Sequence, residues 1–350
     1  MNDPASTLPS TSEPGSSSAK ARLKSAAAPL ADAVRRLAAS GVGWRASRFL
    51  RPPGVIVLMY HRIGAPGDRF PGLDVGVFDQ HVEWLARHCT PIGPEGLRDA
   101  TRAPHDGRPR VLVTFDDGYL CYRERAYPIL KRHGVPALVF LATGYIDEPS
   151  RLFWWDELRL AVEESAKESV ELPWAKGSAA SLASPGARAR LLAAAKRHLK
   201  DLEQEVRERD LGELLARLDA PRGGSHGKQM MDWDDVRQVV DVTRLGGHTH
   251  DHPILSSIPD ARVETEIARC RERIRTETGL EPPWFAYPNG RQRDFDERSR
   301  AALVRHGFDC AFSTEEGLAT PEADWLAIRR LPGDGSLPDL AWRIVSSPRH

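Results

Sequence analysis

Short apolar runs alternate with longer amphipathic segments over most of the chain beyond residue 53. Val, Ile and Leu dominate residues 54–63, 110–118 and 135–143, which predicts three buried strands. Between them, residues 78–88 carry apolar side chains at helical spacing, and a further helical segment begins at Tyr122. Because strands that alternate with helices usually pair in parallel, this part of the sequence predicts either a barrel or a doubly wound sheet.

The alternation resumes in the last third of the chain. A helix is predicted beside Asp232 or Asp234, either of which could cap it, and a long helix is predicted over residues 260–278 with its end at Gly279. Four further strand candidates lie at 242–250, 283–290, 308–314 and 325–331, and one further helix is predicted at 296–306. About seven parallel strands are typical of an incomplete, distorted (β/α) barrel of the α/β class, whose chemistry gathers at the carboxyl ends of the strands.

Residues 156–229 interrupt this rhythm with Ala-, Arg- and Glu-rich helical segments. They are predicted to form a helical insertion in a main domain that spans residues 54–350. Residues 1–20 are rich in Ser, Pro and Thr and are predicted to be disordered. Residues 21–53 are predicted to form a helical extension, for which packing on the domain is favoured and peripheral membrane contact through residues 21–50 is the alternative.

Composition argues against several classes of protein. Lys and Arg number 49 and Asp and Glu number 49, so the balanced charge disfavours a protein whose main partner is nucleic acid. The four cysteines lie far apart without a C-x-x-C pair, which disfavours a disulfide framework or a thiolate zinc site. The chain lacks the run of about 18 apolar residues that spans a bilayer. Its N-terminus lacks the basic start and apolar core of an export signal, so a cytoplasmic location is favoured over export.

Two acidic side chains, Asp116 and Asp117, end the second predicted strand, and Gly118 allows the chain to turn sharply after them. Successive strand residues point in opposite directions, but a turn at the strand end can bring both carboxylates toward one cavity. Capping of the helix that follows is the alternative role for this acidic pair.

Three histidines, His248, His250 and His252, fall within five residues at another predicted strand end. Neutral imidazoles and a carboxylate form metal sites, and a catalytic site leaves one coordination position open for water or substrate. Two arrangements are compatible with the spacing. In an extended strand all three side chains share one face, whereas a turn at Thr249 would let His248 and His252 converge and leave His250 apart.

The motifs TFDDG at 114–118 and HTHDHP at 248–253 resemble, in this order on an alternating β/α chain, the polysaccharide deacetylase family. Members of this family are carbohydrate esterases that remove N- or O-acetyl groups from sugars. The segments VLMYHRIG, FWWDEL and FAYPNG are similar to the subgroup that includes bacterial exopolysaccharide and poly-N-acetylglucosamine deacetylases. The resemblance extends from residue 54 to residue 332 apart from the insertion, and the two motifs together are specific where either alone would not be.

The resemblance implies a role for each matching residue. Asp117, His248 and His252 would bind one divalent metal ion, for which Zn²⁺ is favoured and Co²⁺, Ni²⁺ or Fe²⁺ are also compatible. Asp116 would be the general base that takes a proton from water. The backbone N–H that stabilises negative charge on the acetyl oxygen would belong to Asn289 in the stretch AYPNG.

The sequence departs from the family pattern at two positions. Ala286 stands where many members have the arginine that orients the base, and Arg329 stands where the family has its general-acid histidine. His61, at the end of the first predicted strand, is the candidate replacement for the acid, with a purely structural role as the alternative. Arg329 is a candidate for orienting Asp116.

Two aromatic side chains complete the predicted site. Trp154 could stack on a sugar ring, with core packing as the alternative. Tyr287 belongs to the AYPNG stretch that is implied to contact the substrate.

The sequence therefore predicts a hydrolase that acts on carbon–nitrogen bonds other than peptide bonds. Its predicted reaction is the metal-dependent N-deacetylation of a bacterial polysaccharide or glycan precursor, so its predicted partner is an N-acetylated carbohydrate. Two alternatives remain open. A metal-dependent phosphoesterase would also use Asp and His but usually assembles ligands for two metals, and a glycan-binding relative without turnover is favoured by the two departures.

Overall fold

The computed structural model describes residues 32–37, 39–40, 54–104, 107–200, 202–220 and 227–347. The disorder predicted for residues 1–20 and most of the predicted extension 21–53 lie outside the described residues. Within the extension, residues 32–37 are helical, and the indole Nε1 of Trp84 donates a hydrogen bond of 3.3 Å to the carbonyl of Ala39. The described part of the extension therefore contacts the main domain.

Twelve strands are formed by the described residues. In chain order they are β1 Val55–Tyr60, β2 Ile63–Gly64, β3 Leu73–Asp74, β4 Thr90–Pro91, β5 Arg110–Phe115, β6 Ala137–Leu141, β7 Ser169–Glu171, β8 Ala179–Ser181, β9 Thr243–Gly247, β10 Trp284–Ala286, β11 Cys310–Phe312 and β12 Leu331–Pro332. The predicted strands at 54–63, 110–118, 135–143, 242–250, 283–290 and 308–314 each contain one of these elements.

The main sheet is parallel and has the strand order β11-β10-β9-β6-β5-β1-β12, with β4 paired to the start of β5. All five residues of β6 are buried, as expected for a central parallel strand whose two faces are both covered. The sheet curves into an open barrel surrounded by helices. The predicted incomplete, distorted (β/α) barrel is therefore confirmed.

The predicted strand at 325–331 is not continuous. Ile328 forms a single bridge with Phe312 of β11, whereas Leu331 pairs with Leu58 of β1. The segment therefore passes from one edge of the sheet to the other within a few residues, which prevents it from following either edge strand for long.

Eleven helices belong to the described part of the main domain. They are α1 Val75–His88, α2 Leu97–Arg102, α3 Tyr127–His133, α4 Thr143–Asp147, α5 Trp154–Glu164, α6 Pro185–Lys200, α7 Gln204–Arg217, α8 Trp233–Val239, α9 Asp260–Thr278, α10 Glu297–Arg305 and α11 Leu337–Ser346. Asp232 caps α8 through its side chain, and Gly279 ends α9 in the left-handed region with φ 70°. No helix in the described ranges is both long and apolar enough to cross a membrane.

The region predicted as a helical insertion contains α5, α6 and α7 and also the antiparallel hairpin β7–β8, which the sequence did not indicate. Leucines of the three helices pack with Val170 of β7 into a hydrophobic cluster of their own. The domain division at 156–229 remains a prediction. The four cysteines form no disulfide, as the sequence predicted.

Candidate active site

A cleft of about 710 Å³ opens at the carboxyl ends of the parallel strands. Asp116 and Asp117 follow β5, His248 follows β9, His61 follows β1 and Asn289 lies just beyond β10, and all five line the cleft. Strand ends that meet at one edge of the sheet thus bring distant parts of the sequence together.

Asp117, His248 and His252 form a compact group within the cleft. The Nε2 atoms of the two imidazoles lie 3.2 Å apart. Each also lies 3.4 Å from Oδ1 of Asp117. Ligand atoms around a tetrahedral ion bound at 2.0–2.1 Å are about 3.3–3.4 Å apart, so these three atoms have the spacing of a tetrahedral metal site.

The electron pairs of the group point inward. Nδ1 of His248 lies 2.6 Å from the carbonyl oxygen of Ala286, so the ring donates its Nδ1–H there and keeps the Nε2 lone pair for the group. Burial opposes ionisation of Asp117, but the neighbouring imidazoles of His248 and His252 outweigh it and hold the pKa of this carboxyl well below its usual range. A carboxylate and imidazole nitrogens that converge so closely fit a divalent cation.

The backbone around the group adopts conformations that side chains usually avoid. Five residues other than glycine have positive φ among the described residues, and four of them line the cleft or its loops: Asp117 at 77°, Thr249 at 63°, His252 at 57° and Asn289 at 58°. Such strain concentrates at functional sites because surrounding contacts must hold it in place. The hydroxyl of Thr249 does so by accepting a hydrogen bond of 3.0 Å from the N–H of His252.

His250 is separated from this group by the turn at Thr249. Its Nδ1 lies 2.9 Å from the hydroxyl of Thr143, and its backbone N–H donates a hydrogen bond of 3.0 Å to Glu266. Of the two arrangements compatible with the sequence, the structure therefore has the turn at Thr249, in which His248 and His252 converge and His250 does not.

Asp116 is held by an arginine that is fully buried. The guanidinium of Arg330 donates two parallel hydrogen bonds to the Asp116 carboxylate, of 2.7 and 2.8 Å. Burial favours the neutral carboxylic acid, but the positive charge of Arg330 outweighs it and keeps the pKa of Asp116 below its usual value. The carboxylate is therefore ionised at neutral pH and fixed in orientation.

Arg330 contacts Asp116, which is the role that the sequence suggested for Arg329. Arg329 is exposed and donates to the carbonyl of Glu316 instead. Neighbouring residues in extended backbone point to opposite sides, so only one of the two arginines could face the cleft. The sequence missed Arg330 because the family pattern aligns with its neighbour, and the Arg-Arg pair itself was the available signal.

The remaining predicted residues have different surroundings. His61 is half-exposed in the cleft, with its Nε2 3.8 Å from Oδ2 of Asp116. The Tyr287 side chain is buried, stacks on Phe295 and donates its hydroxyl to the carbonyl of Leu326. Its hydroxyl is thus engaged within the barrel, but Tyr287 also lines the cleft, so its contact with a substrate stays a prediction.

Aromatic rings form one wall of the group. Trp154 packs partly on the insertion's hydrophobic cluster but also lines the cleft, so both interpretations of this residue have support. Trp155 and Phe153 stack on each other and both contact the edge of His252, with ring centroids 5.2 Å apart in each case. Contact of Phe153 and Trp155 with His252 was not predicted from the sequence, although the FWW run was visible.

Comparison with known proteins supports the interpretation of these motifs. The family described as Polysaccharide deacetylase matches residues 103–171 and 216–311. The poly-beta-1,6-N-acetyl-D-glucosamine N-deacetylase of Escherichia coli (strain K12) is 22% identical over 301 residues, which cover 84% of this chain and 39% of that protein. The protein YxkH of Bacillus subtilis (strain 168) is 33% identical over 94 residues, 33% of its length. The chain thus spans less than half of these curated relatives.

Solved structures share the fold. The Streptococcus pyogenes deacetylase PplD in complex with acetate superposes with a TM-score of 0.56 at 17% identity, covering 84% of this chain and 99% of that one. IcaB from Ammonifex degensii superposes with a TM-score of 0.54 at 20% identity, covering 85% and 99%. The family match contains both the TFDDG and the HTHDHP motif, and with the curated relatives it supports a polysaccharide deacetylase family for this chain, whose fold these structures share.

Proposed function

We propose that the protein is a metal-dependent deacetylase that hydrolyses the acetamido group of an N-acetylhexosamine in a bacterial polysaccharide or glycan precursor. The observation that carries this proposal is the Asp117, His248 and His252 group beside an ionised, arginine-held Asp116 in one open cleft. A single-metal ligand set of this kind favours amide hydrolysis over the phosphoesterase alternative, which usually needs ligands for two ions.

The two histidines and Asp117 would hold one divalent ion, and Zn²⁺ is the ion that best suits a tetrahedral set with one open position. Such an ion, when bound, lowers the pKa of water and polarises the acetyl carbonyl. The chain's own contribution is to aim three ligand atoms at one point and to leave the cleft open on the remaining side.

Asp116 is proposed as the general base. Its carboxylate is ionised and buried, and each oxygen retains a lone pair beyond its hydrogen bond to Arg330. It accepts the proton of the attacking water. His61 is the proposed general acid, since its half-exposed imidazole lies near Asp116 and can give a proton to the departing amine.

Negative charge on the acetyl oxygen needs a hydrogen-bond donor besides the metal. Asn289 supports this role because it lines the cleft with φ 58°, and no backbone hydrogen bond of the described residues uses its N–H. The tight turn is fastened on the other side, where Thr314 donates its hydroxyl to the Asn289 carbonyl over 2.7 Å.

The test is acetate release from an N-acetylated oligosaccharide by the metal-loaded protein. Asp116→Asn should retain the metal and lose turnover by about 10²–10⁴-fold, whereas Asp117→Asn should lose both. A wild-type protein that binds the oligosaccharide without releasing acetate would be a glycan-binding relative, and turnover of phosphate esters alone would replace the proposal. Unchanged turnover in His61→Ala would remove His61 from the mechanism.

A further inference from the structure

A second cavity of about 280 Å³ shares Trp154 and His252 with the catalytic cleft. We call it the side pocket, and its other lining residues include Tyr145, Arg151, Gln204, Arg207 and Arg262. Because the two cavities have walls in common, a ligand in the side pocket lies next to whatever occupies the cleft. Its volume is just below the range of about 300–1,000 Å³ that is typical of small-molecule sites, so a ligand there is small.

Arg207 of α7 is a buried cation in this pocket without a counter-ion. Its side chain belongs to a residue that is only 3% exposed, and its Nε has no hydrogen-bond acceptor. Within the described part of the chain, no carboxylate lies within 4.0 Å of its guanidinium. The ring of Trp154 lies next to it, with the ring centroid 5.8 Å from the guanidinium carbon. Burial of an unpaired charge is costly unless a partner arrives.

The other arginines of the pocket are already paired. Arg151 donates a hydrogen bond of 2.7 Å to Asp251, and Arg262 lies 3.5 Å from Glu266. Glu157 and Glu208 also line the pocket, and the charge of Glu208 favours the protonated form of Arg207, but burial outweighs it and lowers the pKa of Arg207. Arg207 is therefore the cation in the pocket that an incoming anion would meet.

Gln204 provides a hydrogen-bond acceptor in the side pocket, next to the donor groups of Arg207. Its side-chain Oε1 is buried and has no donor among the described residues. Gln204 and Arg207 begin α7 one turn apart, so their side chains lie on the same face of the helix. A ligand that satisfies both must offer an anionic group and a hydroxyl or N–H group together. An acidic sugar does so, whereas a free acetate ion lacks the donor.

The insertion presents a second unpaired cation on the cleft side. Lys196 of α6 lines the cleft, is half-buried and has no carboxylate within 4.0 Å among the residues that the structure describes. Burial lowers its pKa, as expected for an ammonium group without a close partner. Both cavities thus offer positive charge from the same inserted region, one on each side of Trp154.

We propose that the side pocket binds a carboxylate-bearing sugar unit next to the N-acetylated unit in the cleft, with Arg207 receiving the carboxylate and Gln204 a hydroxyl. The planar guanidinium fork suits a carboxylate, and Trp154, which lines both cavities, offers an apolar ring surface to a pyranose. This substrate class rests on the proposed deacetylase function and narrows it to acidic glycans.

The experiment compares kcat/KM on two tetrasaccharides that both contain N-acetylglucosamine. One alternates N-acetylglucosamine with glucuronate, and the other is entirely N-acetylglucosamine and neutral. We expect the metal-loaded wild type to prefer the acidic substrate by about tenfold or more, the usual effect of a hydrogen-bonded charge. Arg207→Gln should bring the ratio close to one. Arg209→Gln, an exposed arginine on the same helix, should keep the wild-type ratio and is the matched control.

Failure of this inference is distinguishable from failure of the proposed function. Acetate release from both substrates without a preference would overturn the acidic-sugar site and leave the deacetylase intact. A second outcome would overturn the proposed function and leave the acidic-sugar site intact. In that outcome neither substrate releases acetate, but glucuronate still raises the melting temperature of the wild type more than glucose does. If Arg207→Gln does not fold, Gln204→Leu provides the second variant, and an undiminished preference in it would contradict the site.

Discussion

Asp116 and Asp117 are neighbours in the chain and make different contacts in the same cleft. Asp116 meets Arg330, whereas Asp117 meets His248 and His252. In a regular strand their side chains would point to opposite faces. The positive φ of 77° at Asp117 and of 85° at Gly118 ends the strand pattern and lets both carboxylates reach the cavity. The φ of 85° at position 118 favours glycine, and a Cβ atom there would also lie 2.8 Å from Cδ1 of Ile146.

Because of the turn at Thr249, we expect opposite effects on metal binding when His250 and His252 are replaced. His252→Ala should lose bound metal because it removes one of three converging ligand atoms. His250→Ala should retain metal, since its ring contacts Thr143 instead of the group. Metal content per chain after gel filtration measures both. Loss of metal in His250→Ala with retention in His252→Ala would reverse the assignment.

Removal of Arg330 should leave the buried negative charge of Asp116 without a partner. Arg330→Met leaves the Asp116 carboxylate without its two hydrogen bonds in a site that water barely reaches, so we expect the free energy of unfolding to fall by about 3–5 kcal/mol. Urea denaturation measures this loss.

Two controls identify the cause of that loss. Arg329→Gln, at the exposed neighbouring position, should change the free energy of unfolding by less than about 0.5 kcal/mol. The double variant Asp116→Asn with Arg330→Met should regain part of the stability, because it no longer contains the unpaired carboxylate of Asp116. Equal losses in the single and double variants would mean that Arg330 acts through packing alone.

The convergence of Asp117, His248 and His252 in one cleft was predictable from the sequence, but the partner of Asp116 was not. Two acids after an apolar run, together with histidines at 248 and 252, specify a ligand set by residue type and order. The choice between Arg329 and Arg330 depends on which side of an extended segment faces the cleft. A shift of one residue reverses that choice, and no pattern in the segment 325–331 fixes it.

At the scale of elements, helix α9 supports the loop that carries the histidines. Glu266, on its second turn, accepts hydrogen bonds from the backbone N–H groups of His250 and Asp251, over 3.0 and 2.7 Å. Burial raises the pKa of Glu266 above its usual value, yet either form of the side chain keeps an oxygen that can accept. The helix thus fixes the loop between His248 and His252 through its contacts with the two residues next to Thr249 and His252.

Glu266→Ala should loosen this loop. Two backbone N–H groups would lose their acceptor, at a cost of about 1–3 kcal/mol each where they stay buried, and metal affinity should fall because His252 is less well positioned. Glu266→Gln retains an acceptor oxygen and should restore most of the affinity. Competition with a chromophoric chelator measures the metal affinity of each variant. Glu264→Ala, which removes only surface contacts on the same helix, should leave the affinity unchanged.

Elements with strong end signals were predictable, and elements without them were not. Asp232 and Gly279 marked the start of α8 and the end of α9 because capping depends on one residue type at one position. The hairpin β7–β8 has a short, partly exposed strand of Ala and Ser, which has no apolar alternation and resembles a helix or loop. Its pairing depends on the packing of Val170 into the insertion's own cluster.

At the scale of the whole molecule, the ligand group joins two parts of the barrel. Asp117 follows β5, and His248 and His252 follow β9, with β6 between these strands in the sheet. An ion bound by all three is therefore linked to the pairing of β5, β6 and β9. In the unfolded chain Asp117 is 131 residues or more from the two histidines in sequence, so the unfolded chain cannot offer the same site.

Removal of the metal should consequently lower the stability of the whole domain. An ion that binds only the folded chain contributes about 2.7 kcal/mol when its free concentration is 100 times the dissociation constant. We expect a chelator to lower the melting temperature of the wild type and added Zn²⁺ to restore it. Asp117→Asn retains the shape of the side chain but loses the carboxylate, so its melting temperature should respond to neither treatment. A wild type whose melting temperature is the same with chelator and with Zn²⁺ would contradict an ion that ties the two strand ends together.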